Sequence, residues 1–162
     1  MDFFMTWILG IVQGIIANLI DLSNLRRNKK PCSGQITEPA PQSLVCRKIE
    51  CNGTANNIPK DHSLVIAVEI NGDIWPKRTI LNYNKNRWSA VIFEHGTTAG
   101  QIALSLFLVT EQTRVSIDSW LAEGERIGHY KPWKGIPNSV RLDETIVILD
   151  LENDKRDFTV KT

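Results

Sequence analysis

The chain has 162 residues, a hydrophobic fraction of 42% and a net charge of +1, from 19 basic and 18 acidic residues. This length and apolar content are sufficient for one folded domain with its own core. The near-neutral charge argues against nucleic acid as a partner. The chain has only 3 cysteines, whereas small secreted scaffolds usually carry a denser and even set, so the composition favours a reducing compartment.

The first segment along the chain is the uncharged run FFMTWILGIVQGIIANLI, residues 3–20. As a helix this run would be roughly 27 Å long, which nearly matches a bilayer core of about 30 Å. More than half of its residues are Leu, Ile, Val or Phe, so insertion into lipid is favourable. We therefore predict a transmembrane helix in residues 1–25. The alternatives are a buried core helix and a helix lying on a membrane surface, although a surface helix normally carries Lys and Arg along its polar face.

The charges that flank this run predict its orientation. Asp2 precedes it, and a basic cluster containing Arg26, Arg27, Lys29 and Lys30 follows it. A secretory signal peptide has the opposite order, with basic residues first, so we expect the segment to be retained. Because basic clusters mark the cytoplasmic side, we predict a single-pass protein of the inner (cell) membrane, with its N-terminus outside and its remaining residues in the cytoplasm.

One side of the predicted helix carries small and polar residues at spacings of three and four. Such a stripe lets two helices approach closely in lipid, and one pair in it has the GxxxG spacing. We therefore predict that this face drives self-association into a homo-oligomer, the alternative being a solitary tether. The residues of the stripe are Thr6, Gly10, Gln13, Gly14, Ala17 and Asn18.

Residues 26–43 contain basic residues and then Pro31, Pro39 and Pro41, which is typical of a linker. Within this linker, the short segment SGQIT is compatible with one edge strand. After residue 43 the hydrophobic pattern has a period of two, which indicates β-strands. The strand at 64–70 has apolar residues at almost every position, so we expect it to be buried on both faces. The predicted strands are 44–50, 64–70, 74–81, 88–93, 102–109 and 145–151.

Turn residues separate these strands. Asn71-Gly72-Asp73 predicts a hairpin, and the GTTAG sequence of residues 96–100 is interpreted as another hairpin turn. One helix is predicted within residues 115–127, with Ser116 as its N-cap. Many short strands with frequent turns predict a mainly β domain in residues 44–152, either an antiparallel β-sandwich or a small barrel. Residues 153–162 are charged and are predicted to be a flexible tail.

We find no sequence pattern that indicates catalysis or a bound cofactor. The three histidines are far apart, and no HExxH, CxxC, GxSxG, GxGxxG or Walker motif occurs in the sequence. We therefore predict a non-enzymatic protein without a metal site or cofactor.

The segment GHYKPWKGIPNS, residues 128–139, interleaves aromatic and basic residues in a loop rich in Gly and Pro. Such a loop can stack a base or sugar and neutralise a phosphate. The alternative is that its aromatic rings close the open end of the β domain. A second, smaller group of the same type lies at residues 75–78, while Trp88 and Trp120 are predicted to lie in the core. The candidate ligand-binding residues are Tyr130, Lys131, Trp133, Lys134, Trp75 and Lys77.

Most of residues 44–111 resembles the small immunoglobulin-like β modules found behind membrane helices in bacterial conflict (antiphage) systems. The resemblance depends on Gly53-Thr54-Ala55, Ile58-Pro59, the strand LVIAVEI, Trp75-Pro76 and Arg87-Trp88. It implies a cytoplasmic β domain that senses a signalling small molecule or a protein partner, and membrane helices that act as the effector.

Two functional hypotheses follow. In the first, a signal or partner binds the β domain, and the helices assemble to perturb the membrane. In the second, the chain is a membrane-tethered adaptor or carbohydrate-binding module without effector activity. Both hypotheses include membrane lipid as a partner of the chain.

Overall fold

The computed structural model describes residues 30–80 and 82–151. These residues form nine β-strands and one α-helix, which we call α1 (Glu111–Ile127). The strands are β1 (Ser33–Glu38), β2 (Leu44–Val45), β3 (Lys48–Asn56), β4 (His62–Ile70), β5 (Asp73–Thr79), β6 (Asn82–Asn84), β7 (Arg87–Phe93), β8 (Gln101–Thr110) and β9 (Ser139–Leu149). The prediction of a mainly β domain with one helix is confirmed for this part of the chain.

The strands form two sheets. The four-stranded sheet has the order β1-β3-β7-β6, and every pairing in it is antiparallel. The five-stranded sheet has the order β2-β9-β8-β4-β5. Its strands are antiparallel except for β2, which pairs with β9 in parallel through Leu44 and Val45. The expectation of a wholly antiparallel domain was therefore wrong at this edge.

The parallel pair has a simple origin in the path of the chain. β1 lies at the edge of the four-stranded sheet, and β2 lies at the edge of the five-stranded sheet. Pro39 and Pro41 separate the two strands. Because proline has no N–H to donate, β1 cannot continue as a regular strand through this segment, and the chain passes to the other sheet without reversing by a hairpin.

The two sheets pack face to face across a shared apolar core. Ile49 and Ile92 enter this core from the four-stranded sheet, and Ile66, Leu104 and Val147 enter it from the five-stranded sheet. This packing is that of a sandwich or barrel class of β domain.

A second core lies on the other face of the five-stranded sheet, beneath α1. Val65 of β4, Phe107 and Val109 of β8 and Ile117 of α1 meet there. Because β4 lies between the two cores, its residues from Leu64 to Val68 are all buried. The predicted burial of this strand on both faces is confirmed.

Helix α1 begins earlier than residue 115, the predicted start. Thr110 is its N-cap, with an extended backbone (φ −69°, ψ 161°) and a side-chain oxygen that accepts a hydrogen bond from the Thr113 N–H. The prediction that Ser116 caps the helix was wrong: Ser116 lies within the helix, and its hydroxyl donates to the Gln112 carbonyl. The helix ends at Ile127, and its C-cap is Gly128, whose φ of 71° suits glycine.

The turns confirm one hairpin prediction and correct another. Asn71 and Gly72 both have positive φ, 53° and 81°, and they join the antiparallel strands β4 and β5 as predicted. Residues 96–100 do not form a hairpin, because β7 and β8 belong to different sheets. This segment is a crossover between the two sheets.

The compact β unit begins at Cys32 rather than at residue 44. The segment predicted as a linker contains β1, which pairs with β3 and completes the four-stranded sheet. Among the described residues, no helix is long and apolar enough to cross a bilayer. The predicted transmembrane segment 1–25, with its self-association stripe, and the predicted tail 153–162 lie outside the described residues.

Candidate functional site

The predicted ligand loop, residues 128–139, runs beside the edge of the five-stranded sheet. Trp133 and Ile74 of β5 exchange backbone hydrogen bonds: the Trp133 N–H donates to the Ile74 carbonyl at 2.8 Å, and the Ile74 N–H donates to the Trp133 carbonyl at 2.9 Å. The loop is therefore fastened to the sheet edge by its own backbone.

Three rings from the loop and α1 pack together, those of Trp120, Tyr130 and Trp133, and Trp75 of β5 joins them through a hydrogen bond to the Tyr130 backbone. We call these four residues the aromatic cluster. The ring centre of Trp120 lies 5.3 Å from that of Tyr130 and 5.9 Å from that of Trp133, in tilted and edge-on arrangements. Such geometries stabilise aromatic pairs beyond their buried area. Trp120 is half-buried in this cluster, so its predicted place in the core was wrong. Trp88, in contrast, is in the core as predicted, with 2% of its surface exposed.

The polar atoms of two indoles in the cluster bind the loop backbone. The Trp75 Nε1–H donates to the Tyr130 carbonyl at 3.3 Å, and the Trp120 Nε1–H donates to the Lys131 carbonyl at 3.0 Å. Gly124 of α1 leaves space for the Tyr130 ring, because a Cβ atom at Gly124 would lie 2.1 Å from Tyr130 Cδ1. These contacts support the packing role of the rings, with the cluster holding the loop against α1 and β5.

The three candidate lysines are in different surroundings. Lys131 is exposed at the rim of the aromatic cluster, and Lys134 pairs with Asp73 at 2.5 Å. Lys77 turns toward the four-stranded sheet, where its Nζ donates to Glu94 Oε2 at 2.9 Å and to the Phe93 carbonyl at 3.1 Å. The structure therefore brings five of the six candidate residues together and directs the sixth, Lys77, into a contact between the sheets.

Sequence reasoning missed a groove on the outer face of the four-stranded sheet, which we call the polar groove. Its volume is about 1090 Å³. It is lined by Thr37, Glu38, Asn52, Gly53, Thr54, Asn84, Lys85, Arg87, Trp88 and Ser89. Pockets that bind small molecules usually have volumes of about 300–1,000 Å³, so the polar groove can accommodate such a ligand.

Strand pairing builds the floor of the polar groove. Asn52 of β3 lies opposite Ser89 of β7, and Thr54 lies opposite Arg87. Along each strand these residues alternate with buried ones, as expected for an outer face. In the sequence they resemble an ordinary solvent-exposed face, and only the pairing of separate strands shows that they line one depression.

The three cysteines differ in burial. Cys51 is buried between the sheets, and this burial raises the pKa of its thiol to about 12. Cys46 is exposed and Cys32 is half-buried. In residues 30–80 and 82–151, no group of three His, Cys, Asp or Glu side chains is placed to hold a metal ion.

Comparisons with known proteins give no assignment for this chain. No protein-family model matches it, and no curated protein sequence is similar to it.

Proposed function

We propose that this chain is a membrane-anchored sensor and effector of a bacterial defence system, with an immunoglobulin-like β domain that binds a signal. The proposed sensor role is based mainly on the polar groove. The groove is a concave surface of about 1090 Å³ whose amide, hydroxyl and charged side chains can orient a ligand by hydrogen bonds. The β domain lies in the cytoplasm in this proposal, since the basic cluster follows the apolar segment.

The strand order supports the immunoglobulin-like assignment. In immunoglobulin domains, strands A, B, E and D form one sheet, and strands G, F and C form the other, which gains C′ in variable-type domains. The order β1-β3-β7-β6 corresponds to A-B-E-D, and β9-β8-β4-β5 corresponds to G-F-C-C′. Helix α1 is then an insertion between F and G. The disulfide of antibody domains has no counterpart, because Cys51 on β3 is a free thiol and β8 contains no cysteine.

The effector role is supported by residues 3–20. Their apolar length suits a bilayer, and the glycines of the stripe permit close helix contact. In this proposal the signal-bound domains cluster, and their membrane helices assemble and make the membrane permeable to ions.

The effector role predicts that triggered expression depolarises cells and that Gly10→Leu or Gly14→Leu abolishes the effect. A leucine on the stripe keeps the segment apolar but prevents close backbone contact. Val12→Leu is the matched control, because helical spacing would put residue 12 opposite the stripe of the predicted helix, so this variant should leave depolarisation intact. Membrane potential is measured with a voltage-sensitive dye. Equal depolarisation by the glycine variants would refute the helix-packing mechanism.

The alternative function is a membrane-tethered adaptor. A small apolar patch at the edge of the five-stranded sheet favours it, since Leu44 is 64% exposed and lies beside Ile148, which is 37% exposed. An adaptor predicts an unchanged membrane potential together with capture of a protein partner that is lost in Leu44→Asp.

A further inference from the structure

We propose that the polar groove binds a phosphorylated sugar, with the phosphate at Lys85 and Arg87 and the sugar hydroxyls on Asn52, Thr54 and Ser89. This inference rests on the proposed sensor function and names the chemical class of its signal. It is carried by the distribution of charge and hydrogen-bonding groups in the groove.

The two walls of the polar groove differ in charge. Lys85 and Arg87 lie on the wall formed by β6, β7 and the turn between them, and both are exposed. Neither takes part in an ion pair with another described residue. Arginine and lysine are the usual ligands of phosphate, with arginine able to donate two parallel hydrogen bonds. This wall is therefore complementary to a phosphate group.

The position of these cations is set by the backbone. Lys85 and Asn86 have positive φ, 46° and 65°, which makes the tight turn between β6 and β7. The Asn86 carbonyl accepts a hydrogen bond from the Ala55 N–H at 2.9 Å, which ties the turn to β3. The cationic wall is thus anchored to the strand that supplies the floor.

The floor and the opposite wall suit hydroxyl groups. Asn52, Thr54 and Ser89 provide both donors and acceptors. Glu38 of β1 forms the far wall, and its Oε2 accepts a hydrogen bond from Asn52 Nδ2 at 2.6 Å. A carboxylate paired in this way still has acceptor capacity for sugar hydroxyls.

The groove is better suited to binding a sugar phosphate than to binding a nucleobase. Bases are usually held by stacking on an aromatic face. Trp88 is the aromatic residue lining the groove, and only 2% of its surface is exposed. A hydroxyl-rich ligand with one phosphate fits these surroundings better than one that needs a stacking platform.

The test is isothermal titration calorimetry of the full chain in detergent, with ribose 5-phosphate, inorganic phosphate and ribose as probes. We expect saturable binding of ribose 5-phosphate, weaker binding of inorganic phosphate and the weakest binding of ribose. Arg87→Ala should weaken binding of ribose 5-phosphate roughly tenfold or more, because it removes charge-assisted hydrogen bonds. Glu38→Ala should weaken ribose 5-phosphate but leave inorganic phosphate unchanged.

Arg78→Ala is the matched control. The Arg78 side chain is 85% exposed, pairs with Glu125 and lies outside the groove, so its removal should not change binding. The inference is overturned if ribose 5-phosphate shows no saturable binding, or if Arg78→Ala weakens it as much as Arg87→Ala. Such a failure would leave the depolarisation experiment unaffected, so the ligand class and the effector function are tested separately.

Discussion

Glu94→Ala is expected to lower the free energy of unfolding by about 3–5 kcal/mol, because it leaves the Lys77 ammonium without its partner in a largely buried position. The side chains of Lys77 and Glu94 are 20% and 10% exposed. Glu94 also accepts a hydrogen bond from the Gly96 N–H at 3.2 Å, and its carbonyl accepts one from Arg47 at 2.9 Å. The pair therefore joins β5 of one sheet to the end of β7 in the other.

Denaturant unfolding followed by tryptophan fluorescence measures this effect. Lys131→Ala is the matched control, since Lys131 is exposed and its removal should change stability by less than about 0.5 kcal/mol. The double variant Lys77→Met/Glu94→Gln should recover part of the loss, because it leaves no unpaired charge. If Glu94→Ala unfolds at the same denaturant concentration as the unchanged chain, the Lys77–Glu94 pair does not stabilise the contact between the sheets. Lys77 would then again be a candidate ligand residue.

Gly53→Ala is expected to destabilise the β domain by about 3 kcal/mol or more, at the upper end of overpacking effects. A Cβ atom at Gly53 would lie 2.1 Å from the Gln35 carbonyl oxygen and 2.3 Å from Trp88 Cζ2. The carbonyl belongs to β1, which is paired with β3, so it cannot move without breaking the sheet. The Trp88 ring is also fixed, because its Nε1–H donates to the Thr54 carbonyl at 3.1 Å.

Thermal unfolding of Gly53→Ala and Gly135→Ala tests this expectation. A Cβ atom at Gly135 would have no heavy-atom neighbour within 4 Å, so that variant should unfold at nearly the same temperature as the unchanged chain. Because Gly53 also lines the polar groove, we expect Gly53→Ala to weaken ribose 5-phosphate binding as well. Equal stability of the two variants would contradict the described packing of β1, β3 and β7.

Much of the fold was predictable from local patterns. The continuous apolar run at residues 64–70 indicated a strand with two buried faces, and the structure places it between two cores. Asn71-Gly72 predicted the β4–β5 hairpin because both residues tolerate positive φ. These features depend on neighbouring residues, so the sequence contains sufficient information about them.

Features that depend on distant residues were missed. Residues 96–100 have the composition of a hairpin turn, but whether the flanking strands pair is decided by the packing of whole sheets. The start of α1 at Glu111 was missed because Gln112, Thr113 and Arg114 interrupt the apolar pattern, although Thr110 is a good N-cap residue. β1 was recognised only as an edge strand allowed in the linker, since it is short and its pairing with β3 is long-range.

The candidate site was predicted only in part, because several of its contacts join residues that are far apart in the chain. The sequence singled out Tyr130 and Trp133 by their type, and the structure gathers them with Trp75 and Trp120. The sequence could not show that the indole N–H groups of Trp75 and Trp120 donate hydrogen bonds to carbonyl groups of the loop. The polar groove was missed because Glu38, Asn52 and Arg87 are far apart in the chain and are joined only by strand pairing.

The central claim is that residues 3–20 hold the β domain on a membrane. Alkaline carbonate extraction of membranes from cells that express the full chain tests it most directly, because this treatment releases peripheral proteins and leaves inserted ones. We expect the chain to stay in the membrane pellet and to be released by detergent. Release into the carbonate supernatant as a monomer without detergent would contradict the account.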